Sequence, residues 1–217
     1  MSRILVVEGK QDQDFYSALC RRAGVLNVEV RSAPGSGKGN AIKFFEMLLK
    51  QLPGGSIKNV GVVVDADYPA GKGGDTGFGA TYAEISNVAA NAGFAPPPIK
   101  PPPNAGYLLT PPAGLQPAGV WIMPDNSNHG MVEDFVKQGV IDPSQKLLLS
   151  RASNAVEAIA NPLFNSSLHK SKAEVYTWLA WQKNPGSRLV GTVGGGLIDM
   201  NSQLQREFLS WLKRVFP

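Results

Sequence analysis

Three apolar runs in this chain end on carboxylates. Glu8 closes the run Ile4–Val7, Asp65 and Asp67 close Val60–Val64, and Asp125 follows Val120–Met123. In an open parallel sheet, ligands bind beyond the carboxyl ends of the strands, which is where these acids would stand. In an extended segment Asp65 and Asp67, two residues apart, point the same way. Carboxylates brought together without a buried base repel one another. A hard divalent cation with oxygen ligands relieves that repulsion, and Mg²⁺ or Mn²⁺ fits. A cation so held polarises a phosphoryl oxygen or activates water. One such acid alone reads as an exposed loop residue or a helix cap; recurrence at three strand ends is what points to a site.

The elements needed to position these acids are legible in the periodicity. Arg3 to Val7 reads as a buried strand, and a helix follows from about Asp12 to Arg22, with Phe15, Leu19 and Ala23 at helical spacing. Asp12 is a candidate cap, and Gly24 suits the stop. Val28 to Val30 reads as a second strand. The loop Pro34–Asn40 then opens a helix from about Ala41 to Gln51. Asn59 to Val64 is a third strand, nearly continuous in valine, as a strand covered on both faces requires. A glycine-rich stretch around 71–79 and a helix near Thr81 to Ala92 follow. Phe94 to Gly119 carries nine prolines and reads as an extended surface excursion with room for short strands. Val120 to Met123 is the fourth strand, and a helix starts near Met131. Strands alternating with helices argue for an α/β fold with a four-stranded parallel sheet and helices on both faces. The expected organisation is one α/β domain over 1–140, with the proline-rich insert at 94–119. A helical extension over 141–217 packs on it and ends in an amphipathic helix with Leu204, Phe208, Leu212 and Val215 on one face.

Two of these strand ends resemble a known family. Ile4-Leu5-Val6-Val7-Glu8-Gly9-Lys10-Gln11-Asp12 is similar to the first motif of Toprim domains, a strand ending in Glu-Gly-x-x-Asp. Val62-Val63-Val64-Asp65-Ala66-Asp67 is similar to the second, a strand ending in Asp-x-Asp. Gly130-Met131-Val132-Glu133-Asp134-Phe135 resembles the acidic helix start that follows the last strand in OLD-type nucleases and in a small related family of unknown function. The resemblance covers roughly residues 3 to 140. It implies a Toprim/Rossmann-like sheet, Mg²⁺ or Mn²⁺ as cofactor, and phosphodiester chemistry on DNA or RNA. It implies Glu8, Asp65, Asp67 and Glu133 as metal-holding residues, with Asp125 supporting from the edge. Glu133 reads equally as a charge that complements a helix N-terminus. Lys172 matches loosely a lysine that OLD-type nucleases carry after the core, and it reads equally as a solvated side chain.

Three further groups are candidates for substrate contact: Lys10 beside Glu8, and Gly37 and Lys38 in the loop before the second helix, whose backbone amides suit a phosphate. That loop is not a nucleotide-binding P-loop: with Gly37-Lys38 in register, Ser32 stands in the first glycine position and Gly39 in the Ser/Thr position. His129 beside the acids reads as a surface-loop histidine or a phosphate contact. Trp178 and Trp181 suit a core face better than a base-stacking platform.

Bulk properties bound the rest. A net charge of +4 permits a polyanionic partner without demanding one. A single cysteine, Cys20, rules out an internal disulfide framework and a cysteine-based zinc site. The N-terminal apolar run is broken by Glu8, and no stretch has the length of a membrane span, so a cytoplasmic setting is expected. Two rival functions remain open. One is a binding module without chemistry. The other is a subunit that acts only with a partner such as a separate ATPase.

Overall fold

The computed structural model describes residues 1–69, 76–98 and 106–217. Strand β1 (Ser2–Val7) runs into helix α1 (Lys10–Arg22). The N3 residue Asp12 accepts from the Gly9 amide at 3.0 Å, and its own amide donates to Gly9 O, so the first turn is closed from both sides. The helix stops in a Schellman motif: Val25 N–H reaches Cys20 O, Gly24 N–H reaches Arg21 O, and Gly24 takes φ +72°. Strand β2 (Glu29–Ser32) follows, then helix α2 (Lys38–Gln51), a short 3₁₀ turn, strand β3 (Ile57–Asp65) and helix α3 (Phe78–Asn91).

Strand order is β2-β1-β3-β5-β4, where β4 is Tyr107–Leu109 and β5 is Ala118–Met123. The first four pair in parallel, and β4 runs antiparallel on the outer side of β5. The α/β expectation holds, with one correction: the sheet has five strands, not four. The fifth lies inside the proline-rich segment, where Tyr107-Leu108-Leu109 is short and apolar and finds an open edge on β5. A bridge between Ala95 and Thr110 anchors the same segment. The rest of that excursion at 99–105, like residues 70–75 of the glycine-rich stretch, lies outside the described residues.

Side-chain alternation along the central strands feeds two cores. Leu5, Val7, Val63, Trp121 and Met123 face one layer of helices, which includes α1 and α4 (Val132–Gly139). Ile4, Val6, Val62, Val64 and Ile122 face the other, built on α2 and α3. Because both faces are covered, the strands are apolar at nearly every position. The expected C-terminal helices are α5 (Pro143–Glu157), α6 (Ser166–Ala180), α7 (Val190–Gly194) and α8 (Gln203–Val215). They contribute Ala152, Val175, Trp178, Phe208, Trp211 and Leu212 to the first of these cores.

Helix α8 lies closest to the sheet. Its buried face is Gln205, Phe208, Trp211, Leu212 and Val215; Leu204, expected on that face, is only partly covered. Gly61 and Gly119 are register partners on β3 and β5 and form a smooth strip beneath it. A Cβ added at Gly119 would stand 2.2 Å from Val215 Cγ2, and one at Gly61 would stand 3.2 Å from Val215 Cγ1. Trp211 Nε1 donates to Tyr107 O at 3.1 Å, which ties α8 to the edge strand β4. Trp178 is buried, as a core residue should be, and Trp181 is 45% exposed, which corrects its expected place in the core.

The close approach of α8 gives a stability test. Gly119→Ala should cost about 1–3 kcal/mol in denaturant unfolding, the usual penalty for overpacking a filled core. Val215→Ala combined with it should recover part of that loss, since the two side chains would compete for one volume.

Candidate functional site

The sheet reverses its winding between β1 and β3, and the carboxyl ends of those two neighbours carry Glu8 and Asp65. At such a switch point the flanking helices diverge to opposite faces and leave a crevice. Glu8 Oε1 accepts from the Asp65 amide at 2.7 Å, while the Glu8 carbonyl accepts from the Gly37 amide at 2.9 Å. Asp65 Oδ1 in turn accepts from the Val132 amide at 2.9 Å, at the first turn of α4. The next residue on that helix, Glu133, is only 3% exposed. One oxygen each of Glu8 and Asp65 is thus anchored to the main chain, which leaves the other oxygen for a different partner.

The electrostatics of this group are uniform in sign. Burial, then the charges of its neighbours, push the Glu8 carboxyl from 4.5 up to about 7. Asp65 is raised well above the usual carboxylate range by burial, Glu8, Glu133 and Asp67, although it keeps a partly accessible edge. Burial also raises Glu133, against the pull of its own backbone amide and Lys172. Asp12 is raised by burial, opposed by its Gly9 hydrogen bond and by Lys172. The buried phenol of Tyr16 lies in the same field, pushed up by burial and by Asp65, Asp12, Glu8 and Glu133. Burial and like charge thus act together to favour the neutral form of these carboxyls.

Asp67 does not stand beside Asp65 in the manner of an extended pair. It takes φ +62°, which breaks the alternation, and its backbone pairs with Gly130 through two hydrogen bonds of 2.8 and 3.1 Å. Its carboxylate meets Lys38 at 2.6 Å. The same ammonium donates to Thr81 Oγ1 at 3.0 Å and Ala66 O at 3.2 Å. Lys38 is thus brought to the acids, as expected of a substrate contact, but through Asp67. The amide of Gly37 is committed to Glu8, so its predicted use as a free phosphate donor is corrected. Lys10 is exposed at the start of α1. Lys172, on α6, faces Asp12 and Glu133, which places it at the rim of the crevice.

Asp125 has a different role from the one expected. Its Oδ1 accepts from the amides of Ser127 and Asn128, and its Oδ2 accepts from Asn128 Nδ2, so the carboxylate closes its own turn. His129 is also structural: its Nδ1 accepts from the Phe78 amide at 2.9 Å and caps α3. Gly77, just before that helix, has φ +96°, and a Cβ there would sit 2.5 Å from His129 Nδ1. Asp134 accepts from Met131 N–H, Tyr68 Oη and Ser171 Oγ and pairs with Lys137 at 3.0 Å. That network fixes α4, and with it Glu133, against α6.

Two residues of the crevice escaped the sequence reading as site residues. Asp12 registered as a cap and as the last residue of the first motif but not as a site residue, although one carboxylate can close a helix turn and face the strand ends. Tyr16, one turn further along α1, carried the signal of a polar aromatic on an otherwise apolar buried face.

Among the described residues, no three His, Cys, Asp or Glu side chains already stand as a ready cage for a metal ion. The carboxylates are turned instead onto amides and Lys38. The donor set itself is of the type a hard divalent cation takes: oxygen only, largely buried and mutually repelling. No helix among the described residues is long and apolar enough to cross a membrane.

The chain belongs to a family described as a protein of unknown function, DUF3226, whose model matches residues 2–217. No curated protein and no solved structure matches it.

The raised carboxyls set the direction of a pH effect. The folded state holds the Glu8 proton up to about pH 7, whereas the unfolded chain releases it near 4.5. The stabilisation from the protonated group is full below about 4.5 and is lost as pH rises through about 7. Allowing for its partial exposure, the loss should amount to about 1–3 kcal/mol. Unfolding curves between pH 5 and 8 should show wild type losing stability and Glu8→Gln losing less, so that the stability difference shifts in the variant's favour as pH rises.

Proposed function

We propose that this chain is a Toprim-type, Mg²⁺- or Mn²⁺-dependent enzyme that cleaves phosphodiester bonds in nucleic acid. The observation that supports it best is the placement of Glu8 and Asp65 at the β1/β3 switch point, with Glu133 buried on the helix whose first amide holds Asp65, and with all three carboxyls raised, by burial first. A purely structural role gives no reason to gather repelling acids at the one crevice of the sheet. Fold stability would be better served by neutral side chains.

Glu8, Asp65, Asp67 and Glu133 would hold the cation. When bound, it would neutralise charge on the scissile phosphate and lower the pKa of a water. The chain's own groups do the rest. Lys38, pinned to Asp67 and Thr81, and Lys172, facing Asp12 and Glu133, supply positive charge on either side of the crevice for the flanking phosphates. Burial raises Glu8 to about 7 in the free site, so it would give up its proton as the cation enters. The main-chain amides of Asp65 and Val132 fix the orientation of two carboxylates before any ligand arrives.

The test is cleavage of single- and double-stranded DNA and RNA with Mg²⁺ or Mn²⁺, beside Glu8→Gln and Asp65→Asn. The expected result is metal-dependent cleavage that falls by roughly 10²-fold or more in either variant. Calorimetric cation affinity should weaken below about pH 7, where protons compete for Glu8. Cation binding without cleavage on any substrate would point instead to a subunit that needs a partner such as an ATPase. Nucleic-acid binding with neither cation affinity nor cleavage would leave a binding module.

A further inference from the structure

Beside the acid crevice lies a concavity of about 550 Å³ lined by Gln11, Phe164, His169, Lys172, Ala173 and Tyr176. Its volume falls in the usual range for small-molecule pockets, roughly 300–1,000 Å³. His169, Lys172, Ala173 and Tyr176 recur at helical spacing on α6, so they form one stripe of that helix, opposite the first turn of α1. Two features join this stripe to the acids. Gln11 in the wall is next to Asp12, whose carboxylate closes the turn at Gly9. Ser171, next to Lys172, donates to Asp134 at 2.6 Å, one residue from Glu133. The raised phenol of Tyr176 agrees, since after burial its causes are Glu133 and Asp12.

The chemistry of the lining selects an occupant. Two aromatic rings and an alanine methyl give an apolar wall, with a lysine and a histidine on the same stripe. Tyr176 is 36% exposed, so part of the ring is open to a ligand. The tryptophans of this helix do not compete for the role: Trp178 is buried with its Nε1 on Gln145, and Trp181 does not line the cavity.

We propose that this concavity is a nucleobase subsite, in which an unpaired base stacks on Tyr176 against Phe164 while its phosphate lies between Lys172 and the carboxylates. The inference rests on the nuclease reading of the adjacent crevice and narrows its substrate. A base within a duplex has both faces covered by its neighbours, so only single-stranded or extruded nucleotides can enter. Stacking is indifferent to base identity, so the site would select strandedness rather than sequence.

The experiment measures binding by fluorescence anisotropy in Ca²⁺, with three labelled probes of equal length: a single-stranded oligonucleotide, an abasic strand and a blunt duplex. The single strand should bind roughly tenfold or more tighter than the abasic strand. Tyr176→Ala and Phe164→Ala should shrink that ratio toward one, while Tyr176→Phe keeps it and calorimetric cation affinity is unchanged in all three. An abasic strand that binds as well as the normal one overturns the subsite and leaves the nuclease reading intact. So does a ratio that survives Tyr176→Ala. Wild-type protein that binds none of the three probes overturns both readings.

Discussion

Carboxylates that leave adjacent parallel strands at the same edge cannot disperse. Strands β1 and β3 are hydrogen-bonded neighbours, so Glu8 and Asp65 emerge side by side, and α4 brings Glu133 in from above. The resulting repulsion is the constraint around which the crevice is arranged. Burial and this repulsion raise the carboxyls of Glu8 and Asp65, which favours their neutral forms. Part of the repulsion is absorbed by the Asp65 and Val132 amides, and another part by Lys38 on Asp67. Each of these devices can be displaced by a competing positive charge, which makes the arrangement a poised one. The other acids of the region are of a different kind. Asp125 is satisfied within its own turn, while Asp134 closes the start of α4 and accepts from Tyr68 and from Ser171 on α6; both serve the geometry of the backbone.

Much of this was legible in the residues. Continuous apolar runs ending in acids identified three of the five strands, because a strand buried on both faces has no polar positions to blur it. The neighbour relation of β1 and β3 was not legible, since periodicity carries no information on strand order. Edge strand β4 was missed as a sheet member because three residues among prolines carry no period; its pairing is a tertiary event on the open side of β5. Asp67 misled for a local reason. Two residues apart implies a shared direction only in extended backbone, and the left-handed φ at Asp67 follows from its pairing with Gly130, sixty-three positions away. Asp125 misled because the same residue type that ends a strand also closes an Asx turn. The α6 stripe at 169, 172, 173 and 176 mixes charged, small and aromatic residues and so carries no apolar period, unlike Trp178, which the core takes.

The site also depends on packing far from it. Asp134 couples α4 to α6 through Ser171 and Lys137, and α4 is held to α8 by Gln205, whose amide reaches Phe135 O at 2.9 Å. Glu133 is therefore positioned by contacts that span the C-terminal helices, and Lys172 rides on one of them. The helices after residue 140 contribute both charge and scaffold to a crevice whose carboxylates come mostly from the first half of the chain.

The seat of α8 on glycines 61 and 119 also bears on how the molecule is made. Trp121, Val63 and Leu5 share their core with α1, α4 and α6, and Phe208, Trp211 and Val215 of α8 complete the cover on that side of the sheet. During synthesis the sheet strands would leave the ribosome well before their lid. For that interval they would present a broad apolar face. Native pairing of such distant segments is slow compared with local helix formation. The sheet would thus be most vulnerable to aggregation, and most in need of chaperone shelter, in the interval before α8 docks.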